Sequence, residues 1–156
     1  MKALVVYDSY FGNTEKIAQA IGATFDPQDC AGVVKVAELK PEQIKGIDLL
    51  IVGSPTRAFR PSEGTNKMLA GLPTGALQGV KVAAFDTRIN PEETNSGFLR
   101  FMVKLFGYAA EPIAKALQKK GGSPVGKPAG FFVKESEGPL KDGELERAAS
   151  WAASLR

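Results

Sequence analysis

The chain has 156 residues, 44% of them apolar and 24% charged, with a formal net charge of +3; this is the size and balance of a single globular domain that needs no metal or disulfide to close its core. It contains no histidine and one cysteine, Cys30, which removes Ser-His and Cys-His nucleophile pairs, the commonest metal ligand, CxxC redox pairs and any intramolecular disulfide. No run approaches the roughly 18 apolar residues of a membrane span, and no Lys/Arg run or basic-aromatic stripe points to nucleic acid, so a cytoplasmic protein with neither a membrane nor a nucleic-acid partner is expected.

The first apolar run, Ala3-Leu4-Val5-Val6-Tyr7, lacks a polar interruption and reads as a strand covered on both faces. It breaks at Asp8-Ser9-Tyr10-Phe11-Gly12-Asn13-Thr14 into a helical pattern with Ile17, Ala18, Ile21 and Phe25 on one face. A buried strand turning sharply into a helix aims unpaired N–H groups, backed by the helix dipole, at one point. Ser9, Asn13 and Thr14 add side-chain donors and Gly12 permits close approach, an arrangement suited to an anion, although the same residues also cap helices without any ligand.

Residues 33–36 are short and partly polar and predict an edge strand, and Pro41 opens a short helix. Residues 48–52 form a second buried strand, followed by the long loop 53–61. A helix is expected from about residue 63 to 71, a strand over 80–85, and a third loop over 86–91. Residues 98–107, apolar nearly all round, predict a buried helix with Arg100 and Lys104 at a solvent edge; a hydrophobic lid or partner surface is the alternative. A helix over 110–120, a strand over 129–133 and a closing helix over 144–155 complete one domain, 1–156, without repeat or linker. Alternation of this kind implies a parallel sheet with helices on both faces, and ligands of such sheets gather at the C-terminal strand ends. The loops starting at Asp8, Gly53 and Asp86 all leave such ends.

These loops resemble those of the flavodoxin family. Ser9-Tyr10-Phe11-Gly12-Asn13-Thr14 is similar to the family's [ST]-x-T-G-x-T phosphate loop, with Phe11 in place of a hydroxyl residue, and Gly53-Ser54-Pro55-Thr56 looks like its second loop. The resemblance implies a flavodoxin-like three-layer α/β sandwich with a five-stranded parallel sheet of order 2-1-3-4-5, holding FMN. Carried over by position, it implies that Ser9, Tyr10, Phe11, Gly12, Asn13 and Thr14 hold phosphate, and that Ser54, Pro55, Thr56, Arg57, Ala58 and Phe59 line the ribityl chain and one ring face. Asp86, Thr87 and Arg88 would flank the ring edge, with Phe59 as the stacking residue. Arg57, Arg60 and Arg88 would ease formation of a reduced, anionic flavin. The third loop lacks the Tyr often stacked there in the family.

The expected function is non-covalent FMN binding with one- or two-electron transfer to redox partner proteins, by a monomer or weak homodimer. No catalytic acid or base and no metal ligand is nominated, because a bound flavin carries the chemistry. An NAD(P)H-dependent quinone or metal reductase and a flavin-free binding module are the alternatives, since a fold hosts many functions. A receiver domain would need Asp where Gly53 stands, a small tyrosine phosphatase would need Arg six positions after Cys30, and GxGxxG is absent.

Overall fold

The computed structural model describes residues 1–56, 59–90, 97–135 and 137–156. Strands and helices follow one another as β1 (Ala3–Tyr7), α1 (Asn13–Gly22), β2 (Cys30–Lys35), β3 (Leu49–Pro55), α2 (Glu63–Gly71), β4 (Lys81–Ile89), α3 (Gly97–Phe106), α4 (Ala110–Lys119), β5 (Ser123–Pro124), β6 (Ala129–Val133) and α5 (Glu144–Ala153). All named strand pairs are parallel. The sheet has the order β2-β1-β3-β4-β5, with β6 also paired to β4, so two short segments share the fifth position. This is the expected three-layer α/β order.

Strand periodicity divides the core into two layers. Val5, Tyr7, Ile51 and Phe85 point to the face covered by Ile17 and Ile21 of α1 and by Ala148 and Ala152 of α5. Leu4, Val6, Leu50 and Val52 point to the opposite face, under Leu69 of α2 and Ile113 and Leu117 of α4. On the first face the rings of Phe85, Phe131 and Trp151 meet edge to face with centroids 6.1 Å apart, the arrangement that aromatic quadrupoles favour.

Several boundaries differ from the sequence expectation. The edge strand β2 begins at Cys30 instead of Val33, because Ala3 pairs with Cys30 and an irregularity then lets Leu4 pair with Gly32; Cys30 is thus a strand residue and not part of a loop. Residues 41–44 form a 3₁₀ turn. Strand β4 runs four residues beyond Phe85, since Ser54 and Pro55 on one side and Ala129 to Val133 on the other continue its ladders. Asp86, Thr87 and Arg88 therefore lie in a strand, not in a loop. The buried-helix reading of 98–107 is also corrected: α3 is a helix, but Phe98 and Phe101 are 72% and 60% exposed. An apolar composition does not by itself dictate which faces find partners.

Gly53 is fixed by packing, for a Cβ there would come within 2.0 Å of the Phe85 ring, and Phe85 is fully buried against two further rings. Gly53→Ala is expected to destabilise the protein by about 1–3 kcal/mol through overpacking, measured by urea unfolding; an unchanged midpoint would show that the ring can yield.

Glu144, buried in the first turn of α5, accepts the Phe132 N–H at 2.7 Å and two hydrogen bonds from Arg147. Burial pushes its carboxyl up, but the hydrogen bonds from Arg147 and Phe132 and the charges of Arg147 and Lys141 outweigh this and hold it below its ordinary value of 4.5. A carboxyl lowered by folding stabilises the fold above its unfolded value, and that contribution is lost as pH falls through the folded value. Glu144→Gln should cost ~1 kcal/mol at pH 7, and the gap to the wild type should close in urea titrations at successively lower pH below 4.5.

Candidate functional site

At the C-terminal ends of β1, β3 and β4 a cleft of about 80 Å³ is lined by Ser9, Tyr10, Phe11, Asn13, Thr14, Pro55, Thr56, Thr87, Arg88, Ile89 and Val133. The turn after β1 shapes one wall. Gly12 adopts φ 90°, a left-handed conformation that admits glycine most readily, and it precedes α1 without a side-chain cap. The N–H groups of Asn13, Thr14 and Glu15 open this helix and have no acceptor within it. The Ser9 hydroxyl oxygen accepts the Gly12 N–H at 3.0 Å, leaving its own hydrogen for another acceptor.

Thr14 and Thr87, both buried, meet hydroxyl to hydroxyl at 2.8 Å and join the first loop to β4. Only one hydroxyl hydrogen lies between the two oxygens, so the pair can still donate one hydrogen bond. The Asn13 side chain has a different task. Its amide donates to the Glu137 carbonyl at 3.1 Å, tying the start of α1 to the segment after β6. Asp8, just ahead of the turn, accepts the Ser9 N–H at 2.9 Å and the Ser62 hydroxyl at 2.6 Å, which fastens the first loop to the N-cap of α2.

The second wall comes from β3. Ser54 is fully buried and spent within the protein, for its oxygen accepts the Ser62 N–H at 2.9 Å and its hydroxyl donates to the Pro55 carbonyl at 2.9 Å. Thr56 receives the Ala109 N–H on its hydroxyl at 3.1 Å and donates its own N–H to the Thr87 carbonyl. Phe59 carries φ 66°, the one positive value among the described non-glycine residues; a bulky side chain held in this region costs about 1–2 kcal/mol and must be fixed by its surroundings. It is half-buried and does not line the cleft. Arg57 and Ala58 lie outside the described residues.

Alternation along β4 decides the third wall. Thr87 faces α1, whereas Asp86 and Arg88 share the face toward α4. Asp86 has no solvent exposure, holds Arg88 through two hydrogen bonds of 2.6 and 2.7 Å, and accepts the Ala110 N–H at 2.9 Å at the start of α4. Burial pushes the Asp86 carboxyl above its ordinary range, while the Arg88 guanidinium and the Ala110 N–H pull in the opposite direction. The guanidinium lies 3.6 Å from the centroid of the Tyr108 ring, and a Cβ at residue 130 would come within 2.1 Å of it, a space kept open by Gly130. Arg88 is therefore a clamped half of a neutral pair, and its charge at the cleft is largely offset by Asp86.

The structure thus brings residues of the three predicted loops to one cleft, while Gly12, Ser54 and Asp86 support it from outside the lining and Phe59 lies outside it. Sequence reasoning did not single out Ile89, Val133, Tyr108 or Ser62. Ser62 carried a readable signal, a serine directly before a helical pattern; the others follow from the length of β4 and from chain closure. Among the described residues no cluster of His, Cys, Asp and Glu could hold a metal, and no helix is long and apolar enough to cross a membrane.

Among the described residues the lining contains no carboxylate, one paired cation and an uncapped helix start, a donor set that fits the phosphate end of FMN. Residues 5–151 match a family model described as flavodoxin. A flavodoxin of Picosynechococcus sp. is 47% identical over 45 residues, which are 29% of this chain and 26% of that protein, so the match spans about a quarter of that relative's length. Flavodoxin 2 from Bacillus cereus superposes with a TM-score of 0.77 at 22% identity, covering 99% of this chain and 97% of the other. A flavodoxin from the domain Archaea gives 0.72 at 23% identity, covering 99% and 96%. At these identities the structural likeness shows the fold.

Arg88→Gln leaves a buried carboxylate without its cation and should cost about 2–4 kcal/mol, below the upper range for buried pairs because the Arg88 side chain keeps 17% exposure. Combining it with Asp86→Asn should cost at least ~1 kcal/mol less than the sum of the two single variants. Additive losses in a urea-unfolding double-mutant cycle would show that the pair is not coupled.

Proposed function

Because the chain belongs to the flavodoxin family, as its match over residues 5–151 establishes, we propose that it binds FMN non-covalently at this cleft and passes electrons between redox partner proteins. The observation that carries this reading is the uncapped start of α1, opening into a lining that is rich in hydroxyl groups and, among the described residues, free of carboxylates. The N–H groups of Asn13, Thr14 and Glu15 and the hydroxyls of Ser9 and Thr14 would hold the phosphate dianion with neutral dipoles, supported by the helix dipole. Thr56, Thr87 and Arg88 would border the rest of the cofactor, with Phe59 and the neighbouring Arg57 and Ala58 as the flanking loop.

When bound, the flavin supplies reversible one- and two-electron chemistry. The chain's share is to bind, orient and shield. The Thr14–Thr87 pair fixes the first loop against β4, and Asp8 holds the same loop to α2, so the N–H groups are aligned before a ligand arrives. Such pre-organisation lowers the ordering cost of binding. No side chain at the cleft is assigned to proton transfer. Tyr10 and Phe11, each about half exposed, form an apolar rim at which a redox partner could approach.

The test is a flavin titration followed by fluorescence quenching. FMN should bind at least tenfold more tightly than riboflavin, because only FMN presents a dianion to the start of α1. Thr14→Ala should reduce that preference by about tenfold, in line with the loss of one hydrogen bond to a charged group. Equal affinity of the wild type for both flavins would refute the phosphate assignment, and steady turnover of NAD(P)H with a quinone by the loaded protein would favour a reductase over a carrier.

A further inference from the structure

A second concavity lies at the opposite end of the sheet. Residues 41–45 lead into β3 and residues 71–76 follow α2 toward β4, so they sit at N-terminal strand ends, separated from the cleft by the length of a strand, roughly 20 Å. Between them runs a groove of about 510 Å³ whose walls include Leu39, Ile44, Met68 and Leu72, with the exposed Lys45 and Lys67 also lining it. A neighbouring recess of about 400 Å³ shares Leu39, Lys67 and Met68 and lengthens the groove along α2.

Three features restrict what the groove can take. Its volume lies in the range of small-molecule sites. Its apolar side chains are recessed, for Leu72 is buried and Leu39, Ile44 and Met68 are half-buried; a slender apolar chain reaches them, whereas a flat protein face would bridge over the opening. Its charge has a single sign. Among the described residues no Asp or Glu lines the groove or the recess, Glu63 lining only a separate hollow beyond Lys67, and neither lysine forms an ion pair. An apolar trough bordered by two unpaired ammonium groups complements a molecule with an apolar tail and an anionic head, in which lysine stems cover the tail while their charges meet the head.

We propose that this groove binds a free medium-chain carboxylate, with the alkyl chain along Leu39, Met68 and Leu72 and the carboxylate at Lys45 and Lys67. The proposal does not rest on flavin binding. The probe is decanoate, added below its micelle concentration to the protein labelled with ¹³C at the methionine methyls. The chain has three methionines, Met1, Met68 and Met102, and the Met68 signal is assigned from its loss in Met68→Leu. Saturable movement of the Met68 signal, with Met1 unmoved, is expected.

Decanoate should bind more tightly than octanoate by roughly four- to fifteenfold, since each buried methylene contributes up to about fourfold. Lys45→Gln combined with Lys67→Gln should weaken decanoate about three- to tenfold, as two partly solvated ion pairs predict, and should leave 1-decanol binding unchanged. Ala76→Leu, which narrows the groove, should weaken both ligands while FMN affinity and the urea midpoint stay within error of the wild type. An unmoved Met68 signal, an absence of chain-length dependence, binding only above the micelle concentration, or equal loss of decanoate and decanol in the lysine variant would each overturn the proposal. None of these results bears on the FMN titration, so the two readings fail separately.

Discussion

Asp86 carries a full carboxylate into a place with no solvent exposure, and the geometry of the cleft follows from how that carboxylate is satisfied. One oxygen and its neighbour take the Arg88 guanidinium, and the Ala110 N–H supplies a third hydrogen bond. A buried charge without partners would be far too costly to keep, so the end of β4, the start of α4 and the position of Arg88 are set together. The Tyr108 ring and the bare backbone of Gly130 both lie against the guanidinium and leave it little freedom. The strand's ladder with β6 continues to Ile89, and Thr87 is presented to α1 on the other face.

Around this anchor the loops are joined by polar contacts between distant parts of the chain. Asp8 reaches Ser62, Thr14 reaches Thr87, Thr56 reaches Ala109 and Asn13 reaches Glu137. Each satisfies a group that the ends of the strands leave outside the sheet ladders, as buried polar atoms require. Among the described residues no buried side-chain nitrogen or oxygen lacks a hydrogen-bond partner. The start of α1 is different, because glycine at its cap position provides no side chain to occupy the first N–H groups. Donor capacity is thus concentrated at one spot while the surroundings are satisfied, which is the electrostatic basis for binding an anion there without a lysine in the turn.

The charge pattern also separates the two ends of the sheet. At the cleft the Arg88 charge is offset by Asp86, so binding there depends on dipoles aligned in advance. At the opposite end Lys45 and Lys67 are exposed beside apolar walls. Sequence shows only a mildly basic chain, and the pairing of charges in space determines where positive potential is available.

The sequence by itself determined the order of strands and helices, the parallel sheet and the turn at residues 8–14, because periodicity and glycine placement act over a few residues and survive without tertiary context. It also marked Thr14, Thr56, Thr87 and Arg88, which do line one cleft. Only the tertiary structure decided which donors are already spent. The Ser54 and Asn13 side chains read as ligand contacts until Ser62, eight residues on, and Glu137, 124 residues on, occupy them. Arg88 reads as a free loop cation until β4 extends through it and Asp86 turns to the same face. The apolar residues at 98 and 101 read as core, yet their rings stand in solvent. In each case the deciding term is set by how the chain closes in space, from Ser62 folding back on Ser54 to Glu137 reaching Asn13 across 124 residues, and local pattern carries no information about which group will arrive.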